Sequence, residues 1–97
     1  MAASEMSARF RPGDRVRVRK AYPLGHIRTP FYIRGHSGVV ERLCGSFGNP
    51  EELAQMRSGE PKQPLYRVRF LQKDVWPGYR GDARDVLEVE IFQHWLE

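Results

Sequence analysis

The sequence predicts an all-β fold: a small SH3-like barrel with one short helical insertion and a long first loop. Three observations carry this. The apolar residues recur mostly with a period of two, as half-buried strands require. Four to five short strand-like runs are separated by turns rich in glycine. A chain of 97 residues and 11.3 kDa can build one hydrophobic core and not two.

Residues 1–9 hold no apolar run and read as a flexible, soluble tail, leaving 10–97 as the barrel domain. Phe10-Arg11-Pro12-Gly13-Asp14 is a turn, with Pro and Gly where turns use them. Residues 15–19 alternate cleanly, which puts Val16 and Val18 on the core face and Arg15, Arg17 and Arg19 on the other. Residues 38–43 form a second strand, 65–71 a third with Tyr66, Val68 and Phe70 inward, and 86–92 a fourth with Leu87, Val89 and Ile91 inward. Residues 92–96 close the domain as a short strand or turn.

One helix interrupts the strands. Asn49 can cap it, Pro50 fits its first position and Glu52 completes a capping-box spacing. Leu53 and Met56 form its buried edge over two turns, and Ser58-Gly59 stops it. Residues 21–33 are different. Pro23, Gly25 and Pro30 break either period, yet Tyr22, Leu24, Ile27, Phe31 and Tyr32 are too apolar for a free loop. An ordered, sticky loop between the first two strands is where a function would sit.

Composition bounds the rest. With 40% hydrophobic and 29% charged residues the chain is globular rather than disordered. No apolar run approaches a membrane span, and the one cysteine, Cys44, can form no internal disulfide, so a cytoplasmic protein is expected. The net charge of +4 is uneven: residues 1–40 carry +6 and residues 41–97 carry −2. Thirteen of the sixteen cations are arginine, which favours forked, partly buried contacts to phosphates or to anions on another protein. An RNA-binding barrel is the weaker of these, because no aromatic residues interleave with the basic strand as stacking platforms. Triad spacing, HExxH, P-loop and CxxC are all missing, and His26, His36, His94 and Cys44 are scattered. Catalysis or metal binding by this chain alone is therefore not expected.

Two runs carry a resemblance. Phe10 to Val18 reads F-x-x-G-D-x-V-x-V, and Pro23-Leu24-Gly25-His26-Ile27-Arg28-Thr29-Pro30-Phe31-Tyr32-Ile33-Arg34-Gly35 follows it. Together with Tyr66-Arg67-Val68-Arg69-Phe70 and Val75-Trp76, they resemble the C-terminal, SH3-like half of the nitrile hydratase β subunit. The first motif is common among small barrels; the G-H-x-R-x-P-x-Y-x-R-G run is specific. Ile27 stands where the family usually has a small residue. The helical N-terminal half of a full β subunit has no counterpart here. The resemblance therefore implies a separate small subunit of a three-subunit nitrile hydratase of the toyocamycin type, related to thiocyanate hydrolase.

The activity the resemblance implies is hydration of a nitrile to the amide. The metal, Co(III) or less often Fe(III), is held by a partner α subunit through a Cys-x-x-Cys-Ser-Cys motif, two of whose cysteines are oxidised to sulfinic and sulfenic acids. Such groups need paired donors, and a guanidinium offers a planar, always-charged fork. The Arg of G-H-x-R has that role in the family, which maps onto Arg28. His26, Tyr32, Arg34 and Trp76 are then interface residues, His26 by ordering the loop. The implied partners are the α subunit and a separate chain equivalent to the β N-terminal half, with no nucleic acid and no membrane. A thiocyanate hydrolase subunit and a β-like maturation chaperone that escorts the α subunit are the alternatives.

Overall fold

The computed structural model describes residues 6–23, 25 and 27–97. Four antiparallel strands, β1 (Arg15–Arg17), β2 (Ser37–Phe47), β3 (Gln63–Leu71) and β4 (Val86–Phe92), lie in the sheet in sequence order. Two register shifts in the β2–β3 pairing, one between Val40 and Arg42 and one between Leu43 and Gly45, leave Glu41 and Cys44 as extra residues. Bulges of this kind raise the local twist, and here they curl the sheet into a half-barrel. The C-terminus draws the two ends together. Val18 bridges Leu96, Arg17 and Glu97 exchange backbone hydrogen bonds at 2.9 and 2.8 Å, and the Arg19 N–H donates to the Trp95 carbonyl at 2.9 Å.

Alternation fills the barrel as the sequence leads one to expect. Val16, Val18, Val40, Tyr66, Val68, Phe70, Ile91, Trp95 and Leu96 share one buried cluster with Ile33 and Val75. Leu87 and Val89, expected inward beside Ile91, are only partly buried, because they lie on the part of β4 that the rest of the chain covers least. On the outer face Arg67 lies opposite Glu90 and Arg69 opposite Glu88, and both pairs form ion contacts, at 3.3 and 3.0 Å. Gly38 is the second residue of β2. A Cβ there would meet the Arg69 carbonyl oxygen at 2.7 Å and the side chains of Phe70 and Val68 at 2.9 Å, so only glycine lets β2 pass this closely over β3.

Several elements differ from expectation. β1 stops at Arg17, while β2 runs to Phe47, beyond the expected end at 43. The insertion helix, α1 (Pro50–Leu53), is one turn long. Asn49 caps it by accepting from the Glu51 N–H at 3.0 Å, but the capping box stays open, because the Asn49 N–H donates to the Gly59 carbonyl instead. Glu52 pairs with Arg57. Met56 is no core residue: it is 96% exposed at a positive φ of 61°, and Leu53 is 51% exposed. A second one-turn helix, α2 (Gln72–Val75), was not foreseen; it tucks Val75 into the core. The closing segment is a 3-10 turn, Gln93–Trp95.

Residues 6–9 are hydrogen-bonded to the barrel, although the sequence reads them as the end of a flexible tail. The Arg9 N–H donates to the Gln93 side-chain oxygen at 2.8 Å, and the Gln93 amide donates to the Ser7 carbonyl at 2.9 Å. The buried Tyr66 hydroxyl donates to the same Gln93 oxygen at 2.7 Å and accepts from the Phe10 N–H at 3.2 Å. The apolar period hides this polar node, because it counts Tyr66 simply as an inward residue.

Candidate functional site

The loop between β1 and β2 is held by its own sequence. At its far end a 3-10 turn, Phe31–Ile33, buries Ile33 completely. Arg34 follows and closes the loop from beneath, its guanidinium donating to the carbonyls of Ala21 at 3.0 Å and Thr29 at 2.8 Å. The same guanidinium lies 4.8 Å from the Trp95 ring centre and within 6 Å of the rings of Tyr22 and Phe31. Arg34 was expected at an interface. The bonds it makes within the described residues hold the loop.

Arg28 is carried on this loop. Its side chain is 50% exposed, and its guanidinium lies 3.7 Å from Glu90 Oε1 and 5.6 Å from the Phe92 ring centre. Glu90 in turn is held through Oε2 by Arg67 at 3.3 Å, and this hydrogen bond raises Arg67 above the ordinary guanidinium value. Cys44 is a half-buried bulge residue within β2 whose Sγ is 4.0 Å from the same Glu90 oxygen.

Exposed rings surround the loop. Tyr22 stacks on Phe31 with centres 5.0 Å apart, and Tyr32 stacks on Trp76 at the same distance. Phe31 is 71% exposed, and the other three remain substantially open. The Trp76 indole N–H donates to Gln72 of α2 at 2.6 Å, which fixes the ring where Tyr32 covers one face. The structure thus brings Tyr32 and Trp76 together, as no spacing in the sequence could show. His26 lies outside the described residues.

The basic strand disperses. Arg17 pairs with Glu97 at 2.6 Å, and Arg19 donates to the His94 carbonyl at 3.2 Å and lies over Trp95. Glu51 of α1 accepts from the Trp95 indole N–H at 2.7 Å and meets His94 Nε2 at 2.9 Å. Burial would raise its carboxyl, but the hydrogen bonds from His94 and Trp95 outweigh this and hold it below the ordinary carboxylate value. Glu51, Glu90 and Gln93 were not singled out in the sequence, because outward glutamates and a glutamine near a chain end carry no pattern of their own. Among the described residues no group of three or more His, Cys, Asp or Glu side chains could hold a metal ion, and no pocket is enclosed. The candidate site is an open face: the half-exposed Arg28 guanidinium together with the exposed rings of Tyr22, Phe31, Tyr32 and Trp76.

Residues 1–97 match the family described as nitrile hydratase beta subunit, C-terminal. The chain belongs to this family. It is 40% identical over 91 residues to the nitrile hydratase subunit beta of Pseudomonas chlororaphis, covering 91% of this chain and 40% of that one. It is 37% identical over 91 residues to the thiocyanate hydrolase subunit alpha of Thiobacillus thioparus, covering 93% of this chain and 71% of that one. A solved structure of the recombinant thiocyanate hydrolase apo-enzyme from the same organism superposes with a TM-score of 0.88 at 35% identity, over 97% of this chain and 78% of that chain. The chain therefore spans about two fifths of the nitrile hydratase β subunit and most of the thiocyanate hydrolase subunit. The nitrile hydratase family expectation and the barrel fold both stand: the chain is homologous to nitrile hydratase β subunits.

Proposed function

We propose that this chain is a subunit of a metal-dependent nitrile hydratase, in which it forms the active-site interface with a metal-bearing α subunit and supplies Arg28 to that subunit's oxidised cysteine ligands. The observation that carries the reading is Arg28 itself. Its guanidinium is presented at a surface by a fixed loop, beside exposed aromatic rings of the kind that anchor interfaces. A planar fork of charged donors is the group that sulfinate and sulfenate oxygens need on burial.

In this reading the metal belongs with the α subunit. Two related β subunits, from Pseudonocardia thermophila and Rhodococcus rhodochrous, are named as cobalt-containing, which favours cobalt over iron. That the domain works as a separate small subunit of the toyocamycin type, beside a chain equivalent to the β N-terminal half, is part of the same reading. A cytoplasmic location is part of the reading.

Co-expression with an α-type chain tests it. The purified complex should contain cobalt or iron and convert a nitrile to its amide by adding one water. A complex that hydrates nitriles equally well without this chain overturns the proposal. The second reading is thiocyanate hydrolysis, favoured by the 0.88 superposition. Turnover of thiocyanate but not of nitriles by the same complex would decide for it.

A further inference from the structure

The surroundings of Arg28 contain a feature that its sequence motif does not. Arginine on a surface loop has many rotamers, and presenting a fork to a partner requires most of them to be excluded. Here β4 does this from one face. Positions 90 and 92 alternate to the same side of the strand, placing the Glu90 carboxylate 3.7 Å from the Arg28 guanidinium and the Phe92 ring beneath it. Glu90 is itself fixed. Arg67 stands directly opposite it across the β3–β4 ladder and takes the other carboxylate oxygen at 3.3 Å. Each oxygen of one carboxylate therefore serves one guanidinium, and the order runs from the sheet, through Glu90, to the loop.

The charge balance suits presentation rather than neutralisation. One carboxylate shared between two guanidiniums leaves the trio with net positive charge. The 3.7 Å contact is also long for a hydrogen bond, so the Arg28 donors stay open to a second anion. We propose that Glu90 is the positioning residue for Arg28: it holds the guanidinium ready for the partner's anionic groups without saturating it. This rests on the role of Arg28 proposed above. Glutamine at position 90 would break the arrangement with little change of shape, because an amide is neutral and turns one of the two acceptor oxygens into an NH2 donor, which meets a guanidinium donor to donor.

The test is a double-mutant cycle in the assembled complex, comparing wild type, Glu90→Gln, Arg28→Lys and the double variant. The readouts are kcat and KM for nitrile hydration and, separately, the dissociation constant of this chain for the α subunit. Glu90→Gln should lower kcat about tenfold with KM unchanged within about twofold, and weaken assembly about tenfold. In the Arg28→Lys background both effects should vanish. A residue that merely supports the barrel would show the same loss in either background. Loss with Arg28→Lys but wild-type behaviour of Glu90→Gln, or additive losses in the double variant, overturns the positioning role alone. A wild-type complex that forms no amide, or an Arg28→Lys complex as active as wild type, overturns the underlying reading and this one with it.

Discussion

Arg34→Met tests whether the long loop is held from beneath. Methionine keeps a long apolar stem against Trp95 and removes every donor. Two charge-assisted hydrogen bonds disappear, to the carbonyls of Ala21 and Thr29, at 3.0 and 2.8 Å. Thr29 is buried, so at least that carbonyl loses its partner without gaining full access to water. Bonds to charged donors contribute about 1.5–3 kcal/mol each, and the lost cation–π contacts add about 0.5–1 kcal/mol. Methionine packing on Trp95 returns up to about 1 kcal/mol. The net expectation is about 2.5–7 kcal/mol, a large share of the roughly 5–15 kcal/mol that stabilises a domain of this size. At about 4–8 °C per kcal/mol, Tm should fall by at least roughly 10 °C. Urea titration and thermal melts followed by circular dichroism measure both, and Arg34→Lys, which can keep one carbonyl bond, should fall between. A variant within about 0.5 kcal/mol of wild type, with an unchanged urea slope, would refute the idea that Arg34 fixes the loop.

Three further outcomes follow from the packing. Tyr66→Phe removes the hydroxyl that bonds Gln93 and the backbone of Arg9 and Phe10, and should cost about 1–3 kcal/mol in urea unfolding. Hydrogen exchange of the Arg9 and Phe10 amides should quicken in the same variant. Gly38→Ala drives a methyl group into the Arg69 carbonyl and two β3 side chains, and should destabilise by about 1–3 kcal/mol or more, seen as a lower urea midpoint. Glu51→Gln carries a pH signature: the native carboxyl lies below its ordinary value of 4.5, so its contribution is full above that pH and lost as pH falls through the lower native value. Wild type should thus exceed Glu51→Gln in stability at pH 7, and the gap should close on acidification below about pH 4.5. A gap that persists unchanged at pH 3 would count against the Glu51 contacts with His94 and Trp95.

The fold was largely legible because a half-buried sheet writes itself as alternation. Val16, Tyr66, Val68, Phe70 and Ile91 all stand where a period of two puts them. The insertion was misjudged because Leu53 and Met56 have helical spacing but only one turn forms, so nothing brings Met56 back to the barrel. The bulges at Glu41 and Cys44 were hidden, since an extra residue in a strand shows only as a break in alternation that a turn could equally explain. Arg28 is singled out in the sequence by its motif. Its partner Glu90 is not, because the contact joins a loop to a strand 62 residues away and no local pattern encodes it.

The role of Arg28 is most directly measured by turnover of the assembled complex carrying Arg28→Lys. Lysine keeps the charge and replaces the fork with a compact ammonium. Arg28 is half-exposed and outside the core cluster, so the variant chain should fold like wild type by circular dichroism. An underpaired buried anion at the interface costs on the order of 2–5 kcal/mol. Even about 2.7 kcal/mol of lost transition-state stabilisation lowers the rate roughly a hundredfold. Arg80→Lys, at an exposed position in the loop before β4, serves as the control and should leave turnover unchanged. The expected result is a folded complex with full metal content and turnover down by about a hundredfold. Turnover within about twofold of wild type at equal metal content would contradict the role assigned to Arg28.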